Sequence, residues 1–444
     1  MNKIIEAVDS HRDLILAAER YLWAHPETGY KEYKSNEYMI KKFRELGYEL
    51  TLAEGITGFY TVVDTGREGP EVLILGELDS IICPTHPESD PITGAVHSCG
   101  HHAQGAALLG IAAALKEEEI LDKLCGRIRL CAVPAEELLE IEYRTKLKEE
   151  GKIKYFGGKT EFLRRGYFEG VDIALMVHTA SSKAFVINKG HVGCIAKSIT
   201  YKGKAAHAGG APQDGINALY AANCGLNAIN AIRETFREPD LIRVHPIITR
   251  GGDMVNAIPE EVRLESYVRG SSFDAILKEN RKVNRALIGA ALSIGANIDI
   301  KDFCGYAPQD NDGMLADIAE EALAEVLPGE TLIRMDSRST GSTDMGDLSC
   351  LMPVLHPNAP GAIGIAHGND YYIDDPELAC VASTKLQLGI LHLLLKDEAA
   401  RAKEVIEAYE PQFKTTSDYL EYIDSICTSG DRITYTEDSA TVKL

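Results

Sequence analysis

Strand-length apolar runs alternate with helical stretches through the first 190 residues, and this alternation limits the fold more than any other feature of the chain. "GFYTVVDTG" (58–66), "EVLILGELDS" (71–80), "GRIRLCAVPAEE" (126–137) and "VDIALMVHT" (171–179) read as strands. Helical patterns lie between them, at 102–119 and about 159–167. This order predicts an α/β layer, a partly parallel sheet flanked by helices. From about 190 the pattern becomes strand, helix, two strands around a turn, helix, which suits a separate α+β unit inserted at 190–304. The α/β pattern resumes over 305–396, with helices at 311–326 and 377–396, and completes the domain begun by 1–189. The last stretch, 397–444, is charged and reads as one more helical segment followed by a polar tail.

The chain has 444 residues and a formal net charge of −21, with 25% charged and 45% hydrophobic residues. That balance excludes a disordered chain and lacks the basic surface a nucleic-acid binder needs. The first 27 residues read as one amphipathic helix (Ile4, Ile5, Val8, Leu14, Ile15, Ala18, Tyr21, Leu22), interrupted by Asp9, Asp13 and Glu19, unlike a signal peptide. No run approaches the roughly 18 uninterrupted apolar residues of a membrane span. Ten cysteines without a CxxC pair read as free thiols of a reducing, cytoplasmic compartment.

Chemistry-bearing residues collect near the strand ends, the usual location of sites in open α/β sheets. "HSCGHH" holds Cys99, His101 and His102 at the entry to a helix. A Cys and a His two apart there can face one ion. Glu136 and Glu137 follow the strand in "VPAEE", where adjacent carboxylates point in different directions. His178 ends "VDIALMVH" and His367 ends a glycine-rich run. Singly, each is an ordinary loop or core residue. Together Cys99, His101, Glu137, His178 and His367 are five ligand-type groups, enough for two divalent ions with a shared bridge, and Glu136 is spare. Two ions about 3.5–4 Å apart can polarise a carbonyl and acidify a bridging water, and a free carboxylate beside them can carry its proton to a leaving amine.

Eight motifs in order, "GELDS", "HSCGHHAQGAALLG", "PAEE", "VDIALMVH", "GCIAKSITYKGKAAHAGGAPQDGINAL", "GGDMVNAIPEEVRLESYVRG", "GSTDMGDLS" and "AHGND", give a chain that resembles the aminoacylase and glutamate-carboxypeptidase family of co-catalytic metallopeptidases over roughly residues 10–395. The resemblance is greatest to its amidohydrolase branch of aminobenzoyl-glutamate hydrolases, indole-acetyl-amino-acid hydrolases and β-alanyl-lysine-type dipeptidases. It implies a di-metal aminopeptidase-like catalytic domain and a ferredoxin-like lid that forms a homodimer. It also implies two divalent ions (manganese or zinc, with cobalt a third candidate) and a small-molecule amide or dipeptide substrate, with neither nucleic acid nor membrane as partner. By resemblance Cys99 is the bridging thiolate, His101, Glu137, His178 and His367 the other ligands, and Glu136 the general base. Asp79 orients a ligand histidine. His207 and Asn256 are lid residues that reach a neighbouring subunit's site, Arg269 grips a substrate carboxylate, and Ser342 and Thr343 donate hydrogen bonds at the substrate end.

Three features depart from that pattern. His102 stands where many members of the branch carry Asn or Asp, the charged segment 138–156 follows "PAEE" in place of glycines, and 397–444 has no counterpart. "GGKT" (157–160) is not a phosphate loop, because Ile153 occupies the required glycine position. Neither a G-x-S-x-G elbow nor an HExxH helix occurs. Two rival readings remain: a non-catalytic binding relative that kept the fold, and an obligate subunit of a hetero-complex. Filled ligand and base positions argue against the first.

Overall fold

A computed structural model describes residues Met1–Leu444. Its central sheet has the strand order Thr51–Leu52, Phe59–Asp64, Arg127–Val133, Glu71–Glu77, Ile173–Leu175, Val354–Leu355. The last four are mutually parallel and Phe59–Asp64 runs antiparallel, so the sheet is mixed. Glu71–Glu77 is buried along its whole length, as a central strand covered on both faces must be. Helix His101–Ala114 lies fully buried against it. A second small sheet joins His178–Thr179, Asn358–Ala359, Phe185–His191 and Gln309–Asp310, with Leu332–Ser339 parallel to Phe185–His191.

A separate antiparallel sheet occupies 193–306, with Gly193–Lys202 between Glu261–Gly270 and Asn297–Tyr306. Helices Ala218–Ile232 and Phe273–Ile294 pack on it and close an apolar core of their own. Along Glu261–Gly270 buried and half-buried positions alternate, the signature of a sheet covered on one face.

Several elements differ from the sequence reading. The N-terminal helix is two helices, Asn2–Ser10 and Arg12–Trp23, broken at His11. The helix expected at 102–119 stops at Ala114, and a short turn of helix, Glu118–Leu121, follows. Three strands stand where two were expected, because Arg243–Val244 and Ile247–Arg250 pair separately with Glu261–Gly270. The segment Glu377–Leu395 is long and apolar enough to cross a bilayer by composition, but 83% of its apolar window is buried in the core. The final stretch holds two helices, Ala400–Ala408 and Thr416–Ser425, and a hairpin, Ile433–Tyr435 with Ala440–Val442. It straps the two domains together. Tyr419 and Ile423 join the apolar cluster of the α/β domain, whereas Ile433 enters the core of the inserted unit and Arg432 N–H donates to Ile298 O at 2.9 Å.

Candidate metal centre and active site

Gly100 sets the first part of the site. It caps helix His101–Ala114 with φ 90°, and a Cβ there would lie 2.5 Å from the Tyr371 hydroxyl. Only glycine combines that backbone with that contact. The turn projects Cys99 and His101 together. The PAEE turn supplies Glu136 and Glu137 after strand Arg127–Val133, with Ala135 at φ 57°. Tyr306 Oη donates to Glu136 O, and Glu137 N–H donates to Asp79 Oδ2 at 2.8 Å, which fixes both glutamates.

The histidines are held in defined tautomers. His101 Nδ1 lies 3.0 Å from Asp79 O and 3.2 Å from Asp79 Oδ1, so this nitrogen carries the proton and Nε2 offers a lone pair. His178 Nδ1 lies 2.8 Å from Thr179 O, which likewise leaves Nε2 free. That Nε2 is 3.5 Å from Cys99 Sγ, and His367 Nε2 is 3.4 Å from the same sulfur and 2.9 Å from Glu137 Oε1. The ligand atoms thus form two triads that share one sulfur, Cys99–His101–His178 and Cys99–Glu137–His367, each with its atoms within 4.8 Å of one another. His101 Nε2 and Glu137 Oε1 are buried with no hydrogen bond completed at either, Nε2 facing Glu77 Oε2 at 3.1 Å and Oε1 facing His367 Nε2 at 2.9 Å. Orphaned donor atoms of this kind in a buried cluster fit divalent cations.

Charge within the cluster is strongly redistributed. Burial and Glu137 raise the Cys99 thiol, but His101, His178 and His367 outweigh them and bring it down to about 6. Glu137 lifts His367 to about 12 against burial. Burial, then the charges of Glu77 and Glu137, drives Glu136 well above the usual carboxylate range.

A third triad, Glu77–His101–Glu136, lies deeper. Its Glu77 is already engaged: Lys159 Nζ donates to Oε1 at 2.5 Å and Gln104 Nε2 donates to Oε2 at 2.8 Å. Lys159 also bonds Asp344, and all three charges are fully buried. Burial lowers the Lys159 ammonium, but Asp344 and Glu77 more than restore it. The helix carrying Lys159 sits so close to the PAEE turn that a Cβ on Gly158 would lie 1.6 Å from Pro134 O. Sequence reasoning missed this network. Glu77 and Asp79 were visible as i, i+2 neighbours in "GELDS", but nothing local shows that Lys159 and Asp344 meet them.

A cavity of about 370 Å³ opens on the cluster. Arg269, Ser342 and Thr343 line it. Arg269 Nη1 donates to Thr340 O at 3.3 Å, and its Nε and the Ser342 hydroxyl have no partner. Thr343 Oγ1 accepts from Met345 N at 3.2 Å. His191 and His356, which sequence reasoning did not single out, also line the cavity. His207 and Asn256 stand apart from the cavity of their own chain, on exposed loops of the inserted unit. His102 is buried against Trp23, with Nε2 3.4 Å from Glu19, and belongs to no ligand triad.

The model of the peptidase family M20/M25/M40 matches residues 75–388, which include every cluster and cavity residue named above. The chain belongs to peptidase family M20/M25/M40. Among relatives within reach of this family, the Xaa-Arg dipeptidase of Mus musculus is 26% identical over 79% of this chain and 78% of its own. The N-acetyl-L-cysteine deacetylase of Bacillus subtilis is 26% identical over 70% and 74%. A solved dinuclear metal-binding peptidase of family M20 from Bacillus subtilis superimposes with TM-score 0.63 at 21% identity, covering 87% of this chain and 99% of that one. That M20 likeness extends through both the α/β domain and the inserted unit.

Proposed function

We propose that the chain is a two-metal amidohydrolase that cleaves small N-acyl amino acids or dipeptides and releases an amino acid with a free carboxylate. The observation that carries this reading is the single buried Cys99 sulfur shared by two ligand-type triads. Cys99, His101 and His178 would hold one ion, and Cys99, Glu137 and His367 the other. Such a pair supplies a Lewis acid for the amide carbonyl and acidifies a bound water.

The protein's own groups do the rest. Glu136, next to the cluster and outside both triads, takes the water's proton and delivers it to the leaving nitrogen. Its raised proton affinity suits a group that must hold that proton between the two steps. Asp79 keeps His101 in its Nε2 lone-pair tautomer. Arg269 grips the substrate carboxylate through its partnerless Nε side, and Ser342 donates to the same end. His207 and Asn256 act on the site of a second copy, bound through the inserted unit as a lid. Exposed Ile247, Met254 and Val255 on that unit support such a dimer. The ten unpaired cysteines support a cytoplasmic setting, which cell fractionation reads directly.

The test is a panel of N-acyl, aminobenzoyl and β-alanyl amino acids assayed with manganese, zinc and cobalt. Turnover of at least one amide, dependent on added metal, is expected. Metal-loaded protein that cleaves none would favour the binding-relative reading.

A further inference from the structure

One wall of the cavity is a framed pair of histidines that the hydrolytic reading leaves without a task. His191 Nδ1 lies 2.6 Å from Gln309 Oε1. The orientation of that amide is fixed in turn, because Gln309 Nε2 donates to Asn311 Oδ1 at 2.8 Å while Asn311 Nδ2 donates to Asn188 O at 2.8 Å. Gln309 Oε1 is therefore an acceptor, the proton sits on His191 Nδ1, and Nε2 is left with a lone pair. The same Asn311 accepts from the backbone N–H of His356 at 2.7 Å and so ties the second histidine to the frame. His356 is 3% exposed, lines the cavity, and has no partner on either ring nitrogen. Buried polar atoms are almost always satisfied, so the pair is poised for hydrogen bonds that a ligand brings.

The wall's cavity side carries no ionic side chain of its own; behind it Arg338 donates to the His191 and Gln309 carbonyls and is paired with Asp310. Among the cavity's lining residues the only carboxylates are Glu136 and Glu137, both used by the metal centre and proton transfer, and the only guanidinium or ammonium is Arg269. Arg269 stands beside the histidine wall. It bonds Thr340 O, and the adjacent Ser339 is the strand partner of His191. A substrate held at Arg269 by its carboxylate thus has the His191–His356 wall as a neighbouring surface.

We propose that His191 and His356 select substrates whose released amino acid carries an uncharged hydrogen-bonding side chain, a carboxamide foremost, and exclude cationic side chains. This inference rests on the proposed hydrolytic reading for the orientation of the ligand. A carboxamide donates to the His191 lone pair and accepts from an imidazole N–H. A guanidinium or ammonium would lose its hydration beside Arg269 with no carboxylate of the wall to replace it, a cost that counts against cationic side chains. The selectivity is the reverse of what the name of the mouse Xaa-Arg dipeptidase states for that relative.

Calorimetric titration of manganese-loaded Glu136→Gln protein with N-acetyl-L-glutamine and with N-acetyl-L-arginine tests this without turnover. The glutamine compound should bind at least about tenfold more tightly, a ratio worth about 1.4 kcal/mol. His191→Glu in the same background should reverse the order, a gain that a merely loosened fold cannot produce. Equal or tighter binding of the arginine compound by the Glu136→Gln protein would overturn the proposal, as would no binding of either. Tight glutamine-compound binding without its hydrolysis by the metal-loaded wild type would instead overturn the hydrolytic reading and leave the wall standing.

Discussion

At the scale of single residues, burial turns ordinary side chains into groups with unusual proton affinity. Cys99 is the clearest case, a buried thiol brought down to about 6 by three imidazoles against the opposing effects of burial and Glu137. Asp347 moves the other way. Burial raises it from 3.8 to about 7, although Tyr419 Oη donates to it and lowers it. Between those two values the folded chain holds a proton that the unfolded chain has lost. The unfolded state then binds fewer protons than the native one, so this group makes stability fall as pH rises from about 4 to about 7. Asp347→Asn removes that slope. Urea unfolding at stepped pH should show the variant gaining on the wild type as pH rises through the window, and a constant difference would contradict the assignment. That Cys99, His101, Glu137, His178 and His367 come together was legible in the sequence because each sits in a short motif, with Cys99 and His101 two apart at a helix entry. His191 and His356 were not legible, since their role comes from a shared hydrogen-bond frame assembled from residues 188, 309 and 311.

At the scale of elements, the buried ion network ties three segments together: strand Glu71–Glu77, helix Gly158–Arg164 and the turn before Met345–Ser349. Lys159 is the only positive charge between Glu77 and Asp344, and all three are inaccessible. Removing one partner of a buried ion pair leaves an uncompensated charge, which costs about 3–5 kcal/mol. Lys159→Met should therefore lose stability of that order in denaturant unfolding, and adding Glu77→Gln with Asp344→Asn should restore more than half of it. A triple variant no better than the single one would show that shape, and not charge, is what Lys159 supplies. A sequence pattern cannot show this network, because a lysine in "GGKT" reads the same whether it is solvated or buried. The break at His11 was hidden for a related reason: apolar periodicity runs on through residues that the backbone does not join into one helix. The terminal hairpin has little apolar content and gains its place from the edge of the inserted unit.

At the scale of the whole molecule, an α/β domain with the metal-type cluster carries an inserted unit whose loops end away from their own cavity. If His207 serves a second copy, two crippled proteins complement each other. Mixing His207→Ala with Glu136→Ala protein under conditions of subunit exchange should recover partial hydrolysis, because one site in a mixed dimer keeps both residues. No recovery with demonstrated exchange would contradict the shared site. The domain order was legible from the change of pattern near 190 and its return near 305, whereas the strap formed by 397–444 was not, because Tyr419, Ile423 and Ile433 meet their partners only in the folded chain. The central claim is that five side chains hold two ions while Glu136 handles the proton. Elemental analysis beside an amide-hydrolysis assay, on wild type and Glu136→Gln after manganese reconstitution, tests it most directly. Two ions per chain in both proteins, with turnover in the variant reduced roughly 10²–10⁴-fold, is the predicted result; full turnover in Glu136→Gln, or hydrolysis by protein that binds no metal, would contradict it.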